Sequence, residues 1–137
     1  MERLVGSEMC IRDSINAGHE SILTFDAGKN YEYIKSDMPP IGIVKYFTES
    51  MVKSNTINLK DKTFVVYTDG VTEGYMKNGE ELGAEGVQKI INEMSQVTPK
   101  SIVEAIEKEL NWGAEKLRDD ITCMAININN TELIKKK

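Results

Sequence analysis

The sequence predicts an α+β fold on an antiparallel sheet, and three observations carry that expectation. β-prone runs fill the first half of the chain, two amphipathic helices follow, and one apolar run comes after them. A parallel sheet would instead need strands and helices in alternation. Phe64-Val65-Val66-Tyr67 is apolar at consecutive positions, as expected for a central strand covered on both faces.

The elements follow in order. Ser21–Phe25 and Tyr31–Ile34 are rich in β-prone residues, and Asp26-Ala27-Gly28-Lys29-Asn30 between them is rich in turn formers, so 15–36 reads as a β-hairpin. Asp37-Met38-Pro39-Pro40-Ile41-Gly42 reads as a rigid loop, because proline cannot donate to a ladder. Lys45–Val52 and Thr56–Leu59 are expected as further strands joined by a turn at Lys53-Ser54-Asn55, and Thr63–Thr68 as the central strand. Ala84–Ser95 places Val87, Ile90, Ile91 and Met94 on one helical stripe. A second helix begins at Pro99 with Thr98 as N-cap, carries Ile102, Val103, Ile106 and Leu110 on its stripe, and stops at Gly113. Ile121–Ile128 reads as a last strand, apolar on both faces apart from Thr122 and Asn127. Residues 1–14 show no strand pattern.

Composition narrows the function classes. The chain has 137 residues, the size of one ordinary domain. With 40% hydrophobic and 28% charged residues, it reads as globular rather than disordered. The formal charge is −5 and the only basic run is Lys135-Lys136-Lys137, a solvated tail, so no nucleic-acid partner is expected. No apolar run approaches the ~20 residues of a membrane span. Cys10 and Cys123 make neither a disulfide framework nor a Cys-x-x-Cys pair, and the first 14 residues lack the apolar block of a secretion signal. A reduced, cytoplasmic protein is expected.

Two strand ends carry acids. Asp69 follows the Phe64–Tyr67 run, and Asp119-Asp120 precede the last strand. A buried charge is costly unless paired or bound to a metal. If the two strands lie side by side and antiparallel, Asp69 and Asp119 reach the same rim, where carboxylate oxygens suit a hard cation such as Mg²⁺ or Mn²⁺. The structural alternative is an ordinary Asp-Gly turn and a loop terminator, with Lys62, Lys116 and Arg118 as ion-pair partners. The residue pattern alone therefore points to a metal or phosphate site and goes no further. A dehalogenase-type phosphatase would carry a second aspartate where Val71 stands, and no Gly-x-x-x-x-Gly-Lys phosphate loop occurs.

Five segments extend the reading: "NAGHE" (Asn16–Glu20), "MPPIG" (Met38–Gly42), "LKDKTFVVYTDGVTEG" (Leu59–Gly74), "NGEELG" (Asn78–Gly83) and "RDDIT" (Arg118–Thr122). In this order they resemble the metal-dependent PPM-type serine/threonine phosphatases, SpoIIE-like bacterial branch, over residues 15–128. The resemblance implies an antiparallel two-sheet β-sandwich flanked by helices. It implies hydrolysis of phosphoserine or phosphothreonine on a regulatory protein, of the anti-anti-sigma type in this branch. It further implies two Mn²⁺ or Mg²⁺ ions that activate a water, with no covalent enzyme intermediate. On that pattern Asp69 and Asp119 are metal ligands, while Asp120 and Gly70 support them. Gly70 lets the backbone turn where a side chain would crowd, and Val71 docks onto the core. Glu73 is a surface or supporting acid.

The family's first metal motif, an Asp-Gly pair with a Gly-His-Gly, has no counterpart before Asn16. Asp13 does not match it, and His19, the only histidine, is expected in a loop role. The expected organisation is an atypical segment 1–14, a partial phosphatase domain 15–130 and a basic tail 131–137. A truncated gene, a fragment completed by another chain and a non-catalytic binding module all fit that pattern. One bound ion or none, and self-association through an uncovered sheet, are the corollaries.

Overall fold

The computed structural model describes residues 11–110 and 120–127. Its strands are β1 (Ile11–Ser14), β2 (Ile22–Asp26), β3 (Tyr31–Ile34), β4 (Asn55–Asn58), β5 (Lys62–Tyr67) and β6 (Cys123–Asn127). Its helices are α1 (Asp69–Thr72), α2 (Gly83–Glu93) and α3 (Pro99–Leu110). β1 and β4 form a two-stranded antiparallel sheet, and a four-stranded sheet has the order β3-β2-β5-β6. The fold is α+β with two antiparallel sheets, as the sequence predicts. The described residues fall into two compact units, 11–64 with Asn127, and 65–110 with 120–126.

In the first unit, β2 and β3 form the expected hairpin, with Ile22 opposite Ile34 and Phe25 opposite Tyr31. The Phe25 and Tyr31 rings lie 5.4 Å apart, a cross-strand aromatic pair that pins the register. The turn is closed by Asp26, whose Oδ1 accepts from the Asn30 backbone N–H at 3.1 Å and the Asn30 side-chain amide at 3.2 Å. Leu23, Phe25, Met38 and Phe64 are buried.

The segments "NAGH" and "MPP" are the two halves of one locked junction. Asn16, only 5% exposed, donates from Nδ2 to the Glu20 carbonyl and accepts the His19 N–H on Oδ1. The Ser36 hydroxyl accepts the Gly18 N–H at 2.6 Å and lies 2.9 Å from the carbonyls of both Asn16 and Met38. Gly18 sits at φ +74°, and a Cβ there would overlap the Pro40 ring. Only glycine meets both demands.

Three expectations are corrected. Lys45–Val52 is not a strand: it holds bends and a single 3-10 turn at Glu49–Met51. There the Thr48 and Glu49 carbonyls accept the Met51 and Val52 N–H groups, and the Thr48 and Ser50 hydroxyls bond each other. Local bonding of this kind competes with a ladder. Ile11–Ser14 is a strand although its sequence lacks the pattern, because β4 supplies a partner from Asn55 to Asn58. β6 is not covered on both faces. It lies at an end of the sheet order, with Met124 and Ile126 exposed.

The second unit holds the helices. Val87 and Ile91 on α2, and Ile102, Ile106 and Leu110 on α3, are buried at helical spacing, and α2 packs on α1 and α3. Thr98 caps α3 as expected, its Oγ1 accepting the Ser101 N–H at 3.1 Å. Cys10, Gly113, Ile128 and the lysine tail lie outside the described residues.

Two predictions follow from this packing. Ile106→Ala should cost about 2–5 kcal/mol in urea unfolding, because Ile106 is enclosed, whereas Ile41→Ala at an exposed position should change stability by no more than ~0.5 kcal/mol. Equal effects would contradict the assigned core. The second concerns pH. Bonds from the Asn30 side chain, then from its backbone N–H, hold the Asp26 carboxyl below its ordinary 3.8. A depressed folded value means that this contribution is complete above the ordinary carboxylate value and is lost as pH falls through the lowered one. Asn30→Ala should therefore raise the Asp26 midpoint in a carboxyl NMR titration. An unmoved midpoint would show that the turn does not hold the charge.

Candidate metal site

β5 is buried at Thr63, Phe64, Val65 and Tyr67, and the chain then leaves it through Thr68 into α1. Val71, 0% exposed, anchors the short helix in the core as expected. The Asp69 carbonyl accepts the Glu73 N–H at 2.7 Å and the Thr72 hydroxyl at 3.2 Å, which fixes the backbone that carries the acid. Asp69 itself is exposed. The sequence suggested a buried charge; the structure buries the strand and turns its terminal acid outward. No described side chain bonds the Asp69 carboxylate, so its oxygens are open to a cation.

The entry to β6 lies against this strand end. The Thr68 N–H donates to the Thr122 carbonyl at 3.0 Å, and the Thr122 N–H donates to Thr68 Oγ1 at 3.1 Å. The side chains of Thr63 and Asn127 bond each other at 3.0 Å. The partners Thr68–Thr122 and Thr63–Asn127 run in opposite chain directions, so β5 and β6 are antiparallel. Gly70 permits the approach: a Cβ there would overlap the Asp120 carbonyl oxygen and stand 2.9 Å from its carbon. The requirement at Gly70 is close approach; its φ lies outside the left-handed region.

The sequence-derived residues thus divide. Asp69, Gly70 and the Asp120 backbone are brought together, and the Asp120 residue is exposed. Asp119 lies outside the described residues, as do Lys116 and Arg118. Glu73 is exposed. His19 is an exposed loop residue with Nδ1 3.2 Å from the Glu20 carbonyl, and the Asp13 carboxylate accepts the Thr56 hydroxyl at 3.1 Å. Among the described residues, no three or more His, Cys, Asp or Glu side chains are grouped to hold a metal ion. The described part of the site is therefore one exposed carboxylate beside the Asp120 backbone. A cavity of about 590 Å³ in the first unit is lined by Glu32, Lys35, Asp37 and Lys62 among others, and Asp69 is not on its wall. Burial pushes the Cys123 thiol up, in keeping with a packing role. Sequence reasoning placed Thr68 as the last residue of the central strand and missed its hydroxyl; a hydroxyl between that strand and Asp69 was the available signal.

Two antiparallel sheets with helices, and a strand-end Asp-Gly set against the Asp120 backbone, make up the α+β domain. The chain belongs to the SpoIIE family: the family model for stage II sporulation protein E matches residues 12–129. Among solved structures, the SiaA-PP2C domain of Pseudomonas aeruginosa is similar at a TM-score of 0.68 and 18% identity, over 88% of this chain and 47% of that one. The Mn-presoaked phosphatase domain of the cell fate determinant SpoIIE from Bacillus subtilis gives 0.58 and 14%, over 87% and 56%. The RsbU and RsbW domains of a Mycobacterium tuberculosis protein give 0.53 and 18%, over 85% and 32%. The chain thus spans about half or less of the length of these three. No curated protein matches it. Among the described residues, no helix is long and apolar enough to cross a membrane.

Gly70→Ala should destabilise the fold by about 1–3 kcal/mol, the usual cost of forcing atoms into a filled space. It should also speed hydrogen exchange at the Thr122 amide. An unchanged melting temperature would show that the Asp120 carbonyl is free to withdraw.

Proposed function

We propose that this chain carries part of a metal-dependent serine/threonine protein phosphatase site, with Asp69 and Asp119 as ligands of Mn²⁺ or Mg²⁺. The observation that supports it is the open Asp69 carboxylate on a fixed strand end, with the segment leading out of Asp119-Asp120 held against it. A bound cation pair would supply an acidified water and would neutralise phosphoryl oxygens. The chain's own contribution is placement. Val71 anchors the turn, Gly70 admits the Asp120 backbone, and Asp120 holds the loop behind Asp119. By family resemblance the substrate is a phosphoserine or phosphothreonine on a regulatory protein, with the anti-anti-sigma type the leading class, acted on in the cytoplasm.

The 137 residues contain no second Asp-Gly pair and no Gly-His-Gly. Two carboxylates offset the mutual repulsion of two adjacent divalent ions less well than three. We therefore assign this chain one weakly held ion or none, and impaired turnover. A second reading, a phosphatase-like module that binds a partner without catalysis, draws on a different observation. Ile41, Ile43 and Tyr46 are 81%, 73% and 77% exposed in one short segment, with Phe47 and Val52 also exposed. Grouped exposed apolar residues are characteristic of interaction surfaces. Self-association is assigned to the β6 side of the four-stranded sheet, where Met124 and Ile126 are exposed.

The expected outcome is weak Mn²⁺ or Mg²⁺ binding by calorimetry, reduced further by Asp69→Asn, with little or no hydrolysis of a phosphoserine peptide by the isolated chain. Mn²⁺-dependent turnover on the order of 1 s⁻¹ that vanished in Asp69→Asn would overturn the assigned impairment. Metal binding indifferent to Asp69→Asn would overturn the site.

A further inference from the structure

β2 lies between β3 and β5, and its Leu23, Thr24 and Phe25 are enclosed in succession. Strand alternation sends Leu23 and Phe25 to one face and Thr24 to the other. Thr24 is 2% exposed, and its Oγ1 finds no hydrogen-bond partner among the described residues. An enclosed hydroxyl without a bond costs the fold its desolvation, and valine has the same shape without that cost. Thr24 lines the cavity of about 590 Å³, which lies wholly within the first unit. That volume falls in the ordinary range of small-molecule sites, about 300–1,000 Å³.

The charges on the wall narrow what would fit. Glu32 stands opposite Thr24 across the hairpin, so the two share a face. Its carboxylate accepts from Lys62 Nζ at 3.2 Å, and the two charges balance. Lys35 and Asp37 also line the cavity, both exposed, and neither makes an ion pair among the described residues. The wall thus offers one unmatched ammonium, one unmatched carboxylate and one enclosed, unbonded hydroxyl. A purely anionic ligand would meet the carboxylates of Asp37 and Glu32, and a purely cationic one the ammonium groups of Lys35 and Lys62. A neutral ligand would leave both unmatched charges unused.

We propose that this cavity binds a small zwitterion of the amino-acid or dipeptide class. Lys35 holds its carboxylate, Asp37 holds its ammonium group, and the Thr24 hydroxyl bonds a polar atom between them. The site shares no residue with the candidate metal site and does not rest on that reading.

The test uses the full chain, isotope-labelled and titrated under amide NMR. The zwitterionic probe is Ala-Ala, and acetyl-Ala-Ala-amide is its uncharged counterpart. Ala-Ala is expected to shift the Thr24, Lys35 and Asp37 amides saturably, with the uncharged counterpart weaker by about 10-fold or more, since bonds to charged groups are the stronger ones. Thr24→Val is expected to weaken Ala-Ala by about 10-fold, the loss of one hydrogen bond, without lowering the melting temperature of the ligand-free chain. Lys35→Met and Asp37→Asn, at exposed positions, should each weaken Ala-Ala comparably, and they carry the test if Thr24→Val does not fold. No saturable shift with Ala-Ala, or equal affinity for the uncharged counterpart, would overturn the zwitterion site. Wild-type affinity in both Lys35→Met and Asp37→Asn would do the same. Thr24→Val with wild-type affinity, or with a lowered melting temperature, would overturn the role of the hydroxyl.

Discussion

The site depends on one close approach. The Asp120 carbonyl lies where a side chain at residue 70 would otherwise stand, so the backbone entering β6 packs directly on the turn that leaves β5. Every other feature at this end follows from that contact. α1 can begin at Asp69 because Val71 reaches the core one residue beyond the glycine. Thr68 and Thr122 can exchange bonds only because the two segments already touch. The Asp69 carboxylate is left exposed because the backbone, not the side chain, makes the contact. The structure therefore separates holding from presenting: apolar residues and backbone bonds hold, and the acid is free to present oxygens.

The same separation appears in the first unit. Asn16, Gly18, Ser36 and Pro40 tie two loops through a buried amide, a hydroxyl shared by three backbone groups and a glycine at positive φ. His19 looks catalytic by residue type, but the structure uses its backbone N–H to close the turn on Asn16. Family motifs here mark places where backbone must pass close to backbone as much as places where a ligand binds.

Much of this was legible in the sequence, and the limits have physical causes. The 3.6-residue spacing of Ile102, Ile106 and Leu110, the Thr98 cap and the turn formers of Asp26–Asn30 are local signals, and each is met by local structure. The failures are non-local. Lys45–Val52 has β-prone residues but no partner strand among the described residues, whereas Ile11–Ser14 shows no strand pattern yet has a partner. β6 reads as doubly covered because its residues are apolar, but coverage depends on what lies beside a strand, which composition does not encode. At the site, the Asp69 position and the need for glycine at 70 were legible. The reason for that glycine was not, because the Asp120 carbonyl is fifty residues away in sequence and adjacent only in space.

Thr68 shows why a threonine stands between such a strand and its acid. A residue there has three demands on it: it must continue a β ladder, precede a helix and face an incoming strand. β-branching suits the first. A hydroxyl would ordinarily serve the second, but the absence of a capping bond at α1 leaves it for the third. A four-residue helix anchored by a fully enclosed Val71 gains little from a cap, so diverting the hydroxyl costs the fold little. An aliphatic residue would satisfy the ladder alone and leave the Thr122 N–H without the acceptor it has here. The short helix and the hydroxyl are thus one device: by needing no cap, α1 releases the group that bonds the backbone of residues 120–122.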